Sequence, residues 1–562
     1  TAEVQKSIDA GTTDSAKVAN RQKTFTDLQK KYKDETGLEI QVITFYRGGK
    51  YSLYGFKRFT DVRLVFAPET QLGFFGGDPD NFTYPRYNLD YTFLRVYDEN
   101  GNPLKTENFF KWSPNGAVAE EPVFVVGNPG TTNRLHTMAQ LEYQRDIQYP
   151  YTMELLNGMV NVFGTYIKNN PDKAYEMQDR FFSFQNSQKA FKGILEGLRN
   201  PFLMAKKQDF ENTFKAKIMA EPALATKYGH LWEKIEGTRS EVKQVAYQSN
   251  AYNLNPNMSS SYFLMAKQLI DHANNVKKSG AADINLDTVA TKIFPETFDK
   301  MMSDLMLELN LHLFTFALGK EHEQLKMLTG GNTGAAALKH ALSKTVLTSR
   351  AQIKALLEKG PDAILGSNDP FIKWVMFAEP KGKELSAKIR EITNREADFV
   401  QLLGRAVYDV YGTTIPPDAT FSLRIADGVV RGFDYNGTRA PAVTTFYGLY
   451  DRFYSHDKQF PWNLPERWLD PPAEFELHVP MNFVSTNDII GGNSGSPVIN
   501  KNAEIVGLAF DGNIESLPGQ FIFDTTANRT VSVHSAGMLE SLQDMYKAVR
   551  ISEELKNGRI TK

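Results

Sequence analysis

The apolar residues of this chain change their spacing twice, and the order of those changes limits the folds it can adopt. Near the amino end Leu38, Ile40 and Val42 alternate with polar residues, which is the two-residue period of a half-buried strand. Between about 133 and 410 apolar residues recur instead at helical spacing, as in 384–407. After Pro416-Pro417 the two-residue alternation returns. We therefore predict a mixed β and α fold, in which one β-rich domain carries a large inserted α-helical domain.

The predicted domain boundaries follow these changes in spacing. Residues 1–132 and 411–562 would form the two parts of the β-rich domain, and 133–410 would form the helical insertion. Further strands are expected at 60–67, 90–97, 122–129, 475–485, 503–510 and 520–533. Asp427-Gly428 is a typical hairpin pair, so a turn between two strands is predicted there.

Composition excludes several classes of function. The 562 residues are too many for one hydrophobic core, and a formal net charge of −2 gives no electrostatic reason to expect nucleic acid or an anionic membrane as a partner. The absence of cysteine excludes thiol catalysis, disulfides and cysteine-based metal sites. No apolar run reaches the roughly 18 residues that span a bilayer. No histidine pair has metal-binding spacing, so no metal or other cofactor is expected.

Residues 491–498, Gly-Gly-Asn-Ser-Gly-Ser-Pro-Val, are the strongest indication of chemistry. A hydroxyl nucleophile needs a tight loop of small residues, so that its oxygen is exposed and backbone N–H groups can face an incoming carbonyl. We expect the Ser494 hydroxyl to attack and the N–H groups of Gly492 and Ser494 to form an oxyanion hole. The pattern resembles the nucleophile loop of chymotrypsin-like serine proteases and lacks the last glycine of a G-x-S-x-G elbow. The alternative is a plain Gly/Ser turn between two strands.

A triad of this kind runs His, Asp, Ser along the chain, so the acid should lie upstream of the serine. Asp90 opens an apolar stretch that contains Phe93, Leu94 and Val96. A carboxylate at that place would be buried enough to orient a histidine. The structural alternative is a strand-start Asp that accepts hydrogen bonds from backbone N–H groups.

Five segments, in order, carry a family resemblance. They are Gly-Gly-Asp-Pro-Asp-Asn-Phe at 76–82, Leu-Asp-Tyr at 89–91, Gly-Asn-Pro-Gly-Thr-Thr-Asn-Arg at 127–134, the serine loop at 491–498 and Gly-Leu-Ala-Phe-Asp-Gly-Asn at 507–513. Over essentially its whole length the chain resembles the bacterial dipeptidyl peptidases of types seven and eleven. The resemblance implies a chymotrypsin-like double β-barrel, with the first barrel incomplete in this chain, and an inserted helical lid domain. It also implies a serine exopeptidase that releases dipeptides from the free amino terminus of peptides through an acyl-enzyme.

The resemblance implies roles for individual residues as well. Ser494 would be the nucleophile and Asp90 the triad acid. The free amino terminus of the substrate would be held by Asn81, Phe82 and the lid residue Asn186. Asp511 would be the carboxylate that faces the ammonium. Charge-assisted hydrogen bonds to a carboxylate would favour a peptide with a charged amino end.

Position 512 bears on specificity. Acidic-specific relatives carry an Arg there, which would pair with a carboxylate at P1, the residue before the cleaved bond. Gly512 is expected to leave an open, uncharged pocket and hence an apolar P1 preference. Without the resemblance, Asp511-Gly512 would be interpreted as a plain turn after the strand at 503–510.

The general base is missing from the expected place. Residues 1–89 contain no histidine, and the first of the nine in the chain is His136, after Asp90. We interpret the chain as a fragment of a longer enzyme. The alternative is a pseudo-enzyme that binds peptide amino termini without cleaving them. A rearranged triad with His456 or His534 would break the usual chain order.

The resemblance finally implies partners and a location. The partners would be oligopeptides with a free amino terminus, the location would be periplasmic, and the protein would be a homodimer. Composition alone implies none of these.

Overall fold

The computed structural model describes residues 1–113, 115–279 and 285–560. They fall into two compact units. The first unit is Thr1–Met138, Gly193–Leu231 and Asp398–Lys562, and the second is Ala139–Lys192 and Trp232–Ala397. Within the described residues, the strands all lie in the first unit and the second is helical. Residues 193–231 and 398–410, predicted as part of the helical insertion, belong to the same unit as the strands.

The amino-terminal elements follow the predicted change from helix to strands. They are α1 (Ala2–Asp9), α2 (Asp14–Thr36), β1 (Glu39–Phe45), β2 (Lys50–Phe56), β3 (Val62–Phe66), α3 (Thr70–Gly73), α4 (Gly77–Asp80), β4 (Phe93–Val96), β5 (Lys111–Trp112) and β6 (Pro122–Gly127). Thr13 caps α2 by accepting a hydrogen bond from the Ala16 N–H, and Gly37 ends it in the left-handed conformation, with φ of 70°. β1 pairs with β2 and β3 with β4, each antiparallel.

The middle of the chain is a succession of helices. They are α5 (Met138–Tyr143), α6 (Tyr149–Asn169), α7 (Ala174–Arg199), α8 (Pro201–Ala220), α9 (Pro222–Tyr228), α10 (Leu231–Lys243), α11 (Ala246–Tyr252), α12 (Ser261–Ser279), α13 (Leu286–Ile293), α14 (Lys300–Leu318), α15 (Glu323–Thr329), α16 (Gly334–Ser343), α17 (Arg350–Glu358), α18 (Pro361–Leu365) and α19 (Pro370–Tyr411). The second unit has its own aromatic core, in which Tyr262, Phe263, Phe371 and Trp374 are almost fully buried. Of the described helices, none combines the length and apolar character that crossing a bilayer requires.

The strands that return after the helices complete a closed sheet. The carboxy-terminal elements are β7 (Arg424–Val429), β8 (Phe433–Tyr435), β9 (Thr438–Ala440), β10 (Val443–Thr445), α20 (Phe446–Ser455), β11 (Pro480–Ser485), β12 (Ser496–Asn500), β13 (Glu504–Gly512), β14 (Thr530–His534), α21 (Ser535–Glu540) and α22 (Val549–Asn557). The sheet order is β10-β11-β14-β13-β12-β6-β7, with β5 parallel to β13. β7 then meets β11, because Val430 bridges Ser485 and the Arg431 N–H donates to the Val484 carbonyl at 3.1 Å. Strands β11, β14, β13, β12, β6 and β7 thus close into a barrel.

The barrel explains why apolar and polar residues alternate along several of the strands. Its interior is filled by inward-facing apolar residues, among them Val123, Val125, Phe483, Val498 and Val506. The helices are inserted between two neighbouring strands of this barrel, β6 and β7. The mixed fold class is confirmed. The second barrel of the predicted pair stays a prediction, since β1 to β4 form two separate two-stranded sheets.

The hairpin turn predicted at Asp427-Gly428 is wrong. Both residues lie inside β7, paired with Phe124 and Val123 of β6. Gly428 is needed there because the chain passes close by: a Cβ on it would lie 2.5 Å from the backbone nitrogen of Asn487. A glycine in a strand can mark a close approach of two backbones as well as a turn.

Candidate active site

Ser494 lies in the tight turn that leads into β12, with its side chain exposed. Gly492 has φ of 108° and Gly495 has φ of 84°, both in the left-handed region that favours glycine. A Cβ on Gly492 would also lie 2.7 Å from the Asn128 carbonyl oxygen and from the Gly130 nitrogen. The loop therefore requires glycine at 492 for its conformation and for the close approach of the neighbouring segment.

The loop presents donors as well as a hydroxyl. Within the part of the chain that the structure describes, the N–H groups of Gly492 and Ser494 donate to no acceptor. The Gly495 N–H, by contrast, donates to the Ala509 carbonyl of β13 at 2.8 Å. Ser494 Oγ is 3.4 Å from the Phe510 carbonyl oxygen, so the loop packs against β13. Two unpaired N–H groups beside an exposed hydroxyl are the arrangement that can stabilise an oxyanion.

β13 carries a buried ion pair immediately after this contact. Asp511 Oδ2 accepts a hydrogen bond from Arg86 Nη1 at 2.7 Å, and the two side chains are 9% and 4% exposed. The Phe82 N–H donates to the same oxygen at 3.1 Å, and the Gly512 N–H donates to Oδ1 at 2.8 Å. Phe82 holds this position with a φ of 55°, which is strained for a side chain of its size. A second cation at Asp511 would share the carboxylate with Arg86.

Arg86 is a site residue that sequence reasoning missed. Its Nε donates to Asn88 Oδ1 at 2.5 Å, and its guanidinium carbon lies 5.4 Å from the centre of the Phe510 ring. A buried guanidinium requires a carboxylate partner, because an unpaired buried charge is strongly destabilising. The available signal was an arginine within a stretch that contains three tyrosines, at 84–91.

Asp90 lies three residues before β4 and its surface is exposed to solvent, although the surrounding protein partly desolvates its carboxyl. The surrounding protein raises the pKa of its carboxyl; attraction to Arg86 opposes the rise and repulsion from Asp511 adds to it. Among the described residues none donates a hydrogen bond to Asp90, so it does not serve as a strand-start cap. The charge of Asp511, near the end of β13, thus acts on Asp90, and Ser494 contacts Phe510 of the same strand.

The other predicted residues are spread over both units. Asn81 is buried and follows α4, directly before Phe82. Asn186 is exposed on α7, in the second unit. Asp80, the neighbour of Asn81 to which no role was assigned, is buried and accepts a hydrogen bond from Trp462 Nε1 at 3.2 Å.

The expectation of open space at Gly512 is wrong. The residue is buried within β13, paired with Thr530 of β14. A Cβ on Gly512 would lie 2.3 Å from Ser516 Oγ and 3.1 Å from Ser516 Cβ. The serine hydroxyl is held there because it donates to the Asn513 carbonyl at 2.6 Å. The glycine accommodates the turn that follows β13, so absence of a side chain does not by itself create a pocket.

No histidine of the described ranges forms a hydrogen bond or ion pair with Ser494 or Asp90. His534 is buried, with Nε2 3.0 Å from Ala117 backbone atoms and Nδ1 accepting from the Ala536 N–H. His456 stacks on Trp462, with ring centres 3.7 Å apart. Both rings are therefore engaged elsewhere, which argues against a rearranged triad. In the same ranges no cluster of three or more histidine or acidic side chains could hold a metal ion.

The exposed serine and its loop on the barrel fit a hydrolase, and the family match defines the class of the protein as a peptidase. The chain belongs to the peptidase S46 family, whose model matches residues 1–557. It is 28% identical to the Asp/Glu-specific dipeptidyl-peptidase of Shewanella putrefaciens, over 92% of this chain and 77% of that one. It is 25% identical to dipeptidyl-peptidase 7 of Phocaeicola vulgatus, over 92% and 74%.

Solved structures agree on the fold. The chain superimposes on the crystal structure of DPP11 from Porphyromonas endodontalis with a TM-score of 0.75 and 20% identity, covering 94% of this chain and 80% of that one. A complex of the same protein with the dipeptide Arg-Glu matches with a TM-score of 0.72. The predicted family resemblance is confirmed, and the comparisons lend no support to the pseudo-enzyme alternative.

Proposed function

We propose that the chain is a serine-type dipeptidyl aminopeptidase, which releases dipeptides from the free amino terminus of peptides. The observation that carries the proposal is the loop at 491–495. It places the exposed Ser494 hydroxyl and two unpaired N–H groups beside the end of β13, where Asp511 is buried. Membership of a peptidase family and the names of two curated relatives support the proposal.

The chemistry follows from the loop. Ser494 Oγ attacks the carbonyl carbon after the second residue, while a base takes its proton. The carbonyl oxygen becomes an oxyanion that accepts hydrogen bonds from the N–H groups of Gly492 and Ser494. The C–N bond breaks as the leaving amine takes a proton, and an ester between the dipeptide and Ser494 remains. Water then attacks the ester and releases the dipeptide, restoring the hydroxyl.

The base in this proposal is an imidazole oriented by Asp90. Support comes from the exposure of Asp90 to solvent and from the lack of a backbone hydrogen bond to its carboxylate within the described residues. None of the histidines in the described ranges bonds to Asp90 or Ser494, so the proposal assigns the role of base to none of them. Without a base Ser494 is an ordinary alcohol, and loss of a triad member lowers kcat by several orders of magnitude.

Recognition of the amino terminus is assigned to Asp511, Asn81, Phe82 and Asn186. Asp511 has carboxylate lone pairs beyond those used by Arg86 and the two backbone N–H groups, so an ammonium could share it. The buried setting strengthens such a charge-assisted bond. A closed amine site two residues from the cleaved bond would limit the product to a dipeptide.

The P1 preference is proposed to be apolar. The supporting observation concerns cations near β13: Arg86 is paired with Asp511, and Arg529 donates to four backbone carbonyls. With Gly at 512 neither is available to pair with a P1 carboxylate. The packing of Ser516 against Gly512 means that the preference rests on the missing cation rather than on open space.

Three further features belong to the proposal and rest on the family resemblance. They are a second, chymotrypsin-like barrel, a homodimer and a periplasmic location. Analytical ultracentrifugation tests the homodimer, and fractionation of the source cells tests the location.

The proposal is tested by labelling the full-length gene product with a fluorophosphonate. We expect covalent modification of Ser494, loss of labelling in Ser494→Ala, and release of dipeptides from peptides with a free amino terminus. Ser496→Ala is the matched control, because this hydroxyl lies two residues further along in β12. Labelling at a different residue, or equal cleavage of free and acetylated peptides, would overturn the proposal.

A further inference from the structure

The segment that precedes the helical insertion is bonded to the nucleophile loop at its backbone. The Gly130 N–H donates to the Gly491 carbonyl at 2.8 Å, one residue before the proposed oxyanion donor Gly492. The Asn133 N–H donates to the Gln520 carbonyl at 2.7 Å, in the turn after β13. Residues 130–134 therefore link the nucleophile loop to the turn after β13.

Arg134 strengthens this link with a charged side chain. Its Nη1 and Nη2 form a bidentate ion pair with Asp488, the Nη2 to Oδ1 distance being 2.7 Å. Its Nε donates to the Gly519 carbonyl at 2.9 Å. Asp488 lies in the same loop as the nucleophile, and Gly519 lies in the turn after β13. One guanidinium thus uses its planar set of donors to hold both loops in register.

Arg134 is itself held in place. Its N–H donates to Asp418 Oδ1 at 2.6 Å, and its carbonyl accepts a hydrogen bond from Lys207 Nζ at 2.6 Å. Lys207 is almost fully buried, and that burial lowers its pKa to about 8. The same Asp418 carboxylate accepts from Thr132 Oγ1 at 2.8 Å. The backbone that carries Arg134 therefore has few alternative positions.

The neighbouring residues of the loop show where this restraint acts. Asn487, one residue before Asp488, is fixed to the barrel by hydrogen bonds from Nδ2 to the Val123 and Ala426 carbonyls. On the other side of Asp488 the loop continues to Gly492 and Ser494, which form no backbone hydrogen bonds through their N–H groups among the described residues. The Arg134–Asp488 pair is thus an ion-pair restraint four residues upstream of the oxyanion donor Gly492.

We propose that Arg134 is a positioning residue for catalysis, which acts through Asp488 and Gly519 to hold the nucleophile loop in its reactive geometry. The inference rests on the proposed function, because it needs Ser494 to be the nucleophile. A loop displaced by about 1 Å lowers the rate of a positioned reaction by about 100-fold. Substrate binding at Asp511 does not involve this pair, so the effect should fall on kcat rather than on KM.

The test compares variants of the full-length gene product, with kcat expressed per Ser494 titrated by fluorophosphonate. Arg134→Ala should lower kcat by about 100-fold with KM little changed. Arg134→Lys should recover part of the loss, since an ammonium can pair with Asp488 but cannot also bridge to Gly519. Asp488→Asn keeps the shape of the side chain, and its kcat should lie between those of Arg134→Ala and Arg134→Lys. Arg431→Ala, which removes an exposed bidentate pair with Glu120 in the same unit, is the matched control and should retain wild-type kcat.

Chemical rescue separates positioning from a general loss of stability. Arg134 and Asp488 line a cavity of about 660 Å³, through which a small cation can reach the carboxylate. Millimolar guanidinium chloride should restore part of the kcat of Arg134→Ala, whereas sodium chloride at the same concentration should not.

Two sets of results would overturn the inference, and they are distinguishable. Suppose that the wild type cleaves peptides. If Arg134→Ala then has the same kcat per titrated Ser494, only the positioning role is wrong. The same conclusion holds if Arg134→Ala has a lower kcat together with a higher KM and guanidinium does not restore its kcat. If the wild type neither labels at Ser494 nor releases dipeptides, the proposed function fails and the positioning role fails with it. Should Arg134→Ala not fold, Arg134→Lys and Asp488→Asn give the same comparison.

Discussion

His534 lies at the end of β14 with 1% of its surface exposed and both ring nitrogens within hydrogen-bond distance of backbone groups. Burial lowers the pKa of its imidazole to about 4, so at neutral pH the ring is uncharged. The pKa of the Asp90 carboxyl is shifted in the opposite direction: desolvation raises it. The same desolvation thus favours the neutral form of both side chains, and it makes His534 a packing residue rather than a base.

The low pKa of His534 predicts a loss of stability in acid. Its folded-state pKa lies below the ordinary value of about 6.5, so its contribution is complete above pH 6.5 and is lost as pH falls towards 4. The difference corresponds to about 3 kcal/mol of unfolding free energy. In His534→Gln, the drop in thermal midpoint between pH 7 and pH 4 should be smaller than in the wild type. The exposed His478→Gln is the control, and an equal drop in all three proteins would contradict the prediction.

At the level of single elements, β13 and its following turn connect much of the site. Ala509 and Phe510 contact the nucleophile loop, Asp511 holds Arg86, and Gly512 packs on Ser516. The strand predicted at 503–510 is confirmed as β13, in which apolar residues run almost continuously from 505 to 510. It did not predict that Gly428 lies inside β7, because a close approach by Asn487 leaves the same glycine signal as a turn. Such an approach depends on residues that are distant in sequence.

Packing at Gly512 shapes the prediction for specificity. Gly512→Arg alone places Cβ 2.3 Å from Ser516 Oγ, so the turn must shift and stability should fall. Combined with Ser516→Gly, the Cβ at 512 no longer meets a side chain at 516. The ratio of kcat/KM for acidic over apolar P1 substrates should then rise at least about tenfold, as one charge-assisted bond allows. The Ser516→Gly single variant is the control. An unchanged ranking of chromogenic dipeptide substrates in the double variant would refute the proposed role of position 512.

For the molecule as a whole, the chain leaves the barrel after β6 and returns at β7, with the second unit built in between. Each unit has its own core, the barrel around Phe483 and the helices around Trp374. The proposal assigns a part in amine recognition to Asn186, which belongs to the helical unit. Such a division would make substrate affinity depend on a residue outside the barrel.

Asn186→Ala tests that dependence. Loss of one hydrogen bond to an ammonium should raise KM about tenfold for peptides with a free amino terminus, with kcat little changed. Asn169→Ala, an exposed asparagine on α6 of the same unit, should leave both constants unchanged. If Asn186→Ala has the KM of the wild type, the residue takes no part in amine recognition.

Local patterns in the sequence sufficed to predict the serine loop, the regions of strand and of helix, and the family. Each of these predictions depends on residues that are adjacent in sequence. Gly492 illustrates this, since a left-handed conformation in a tight turn demands glycine whatever surrounds it. The pairings of Arg86 with Asp511, Arg134 with Asp488 and His534 with Ala117 emerged only from the folded chain. Each joins residues more than 350 positions apart, and the burial that sets their charge and strength exists only once the barrel has closed.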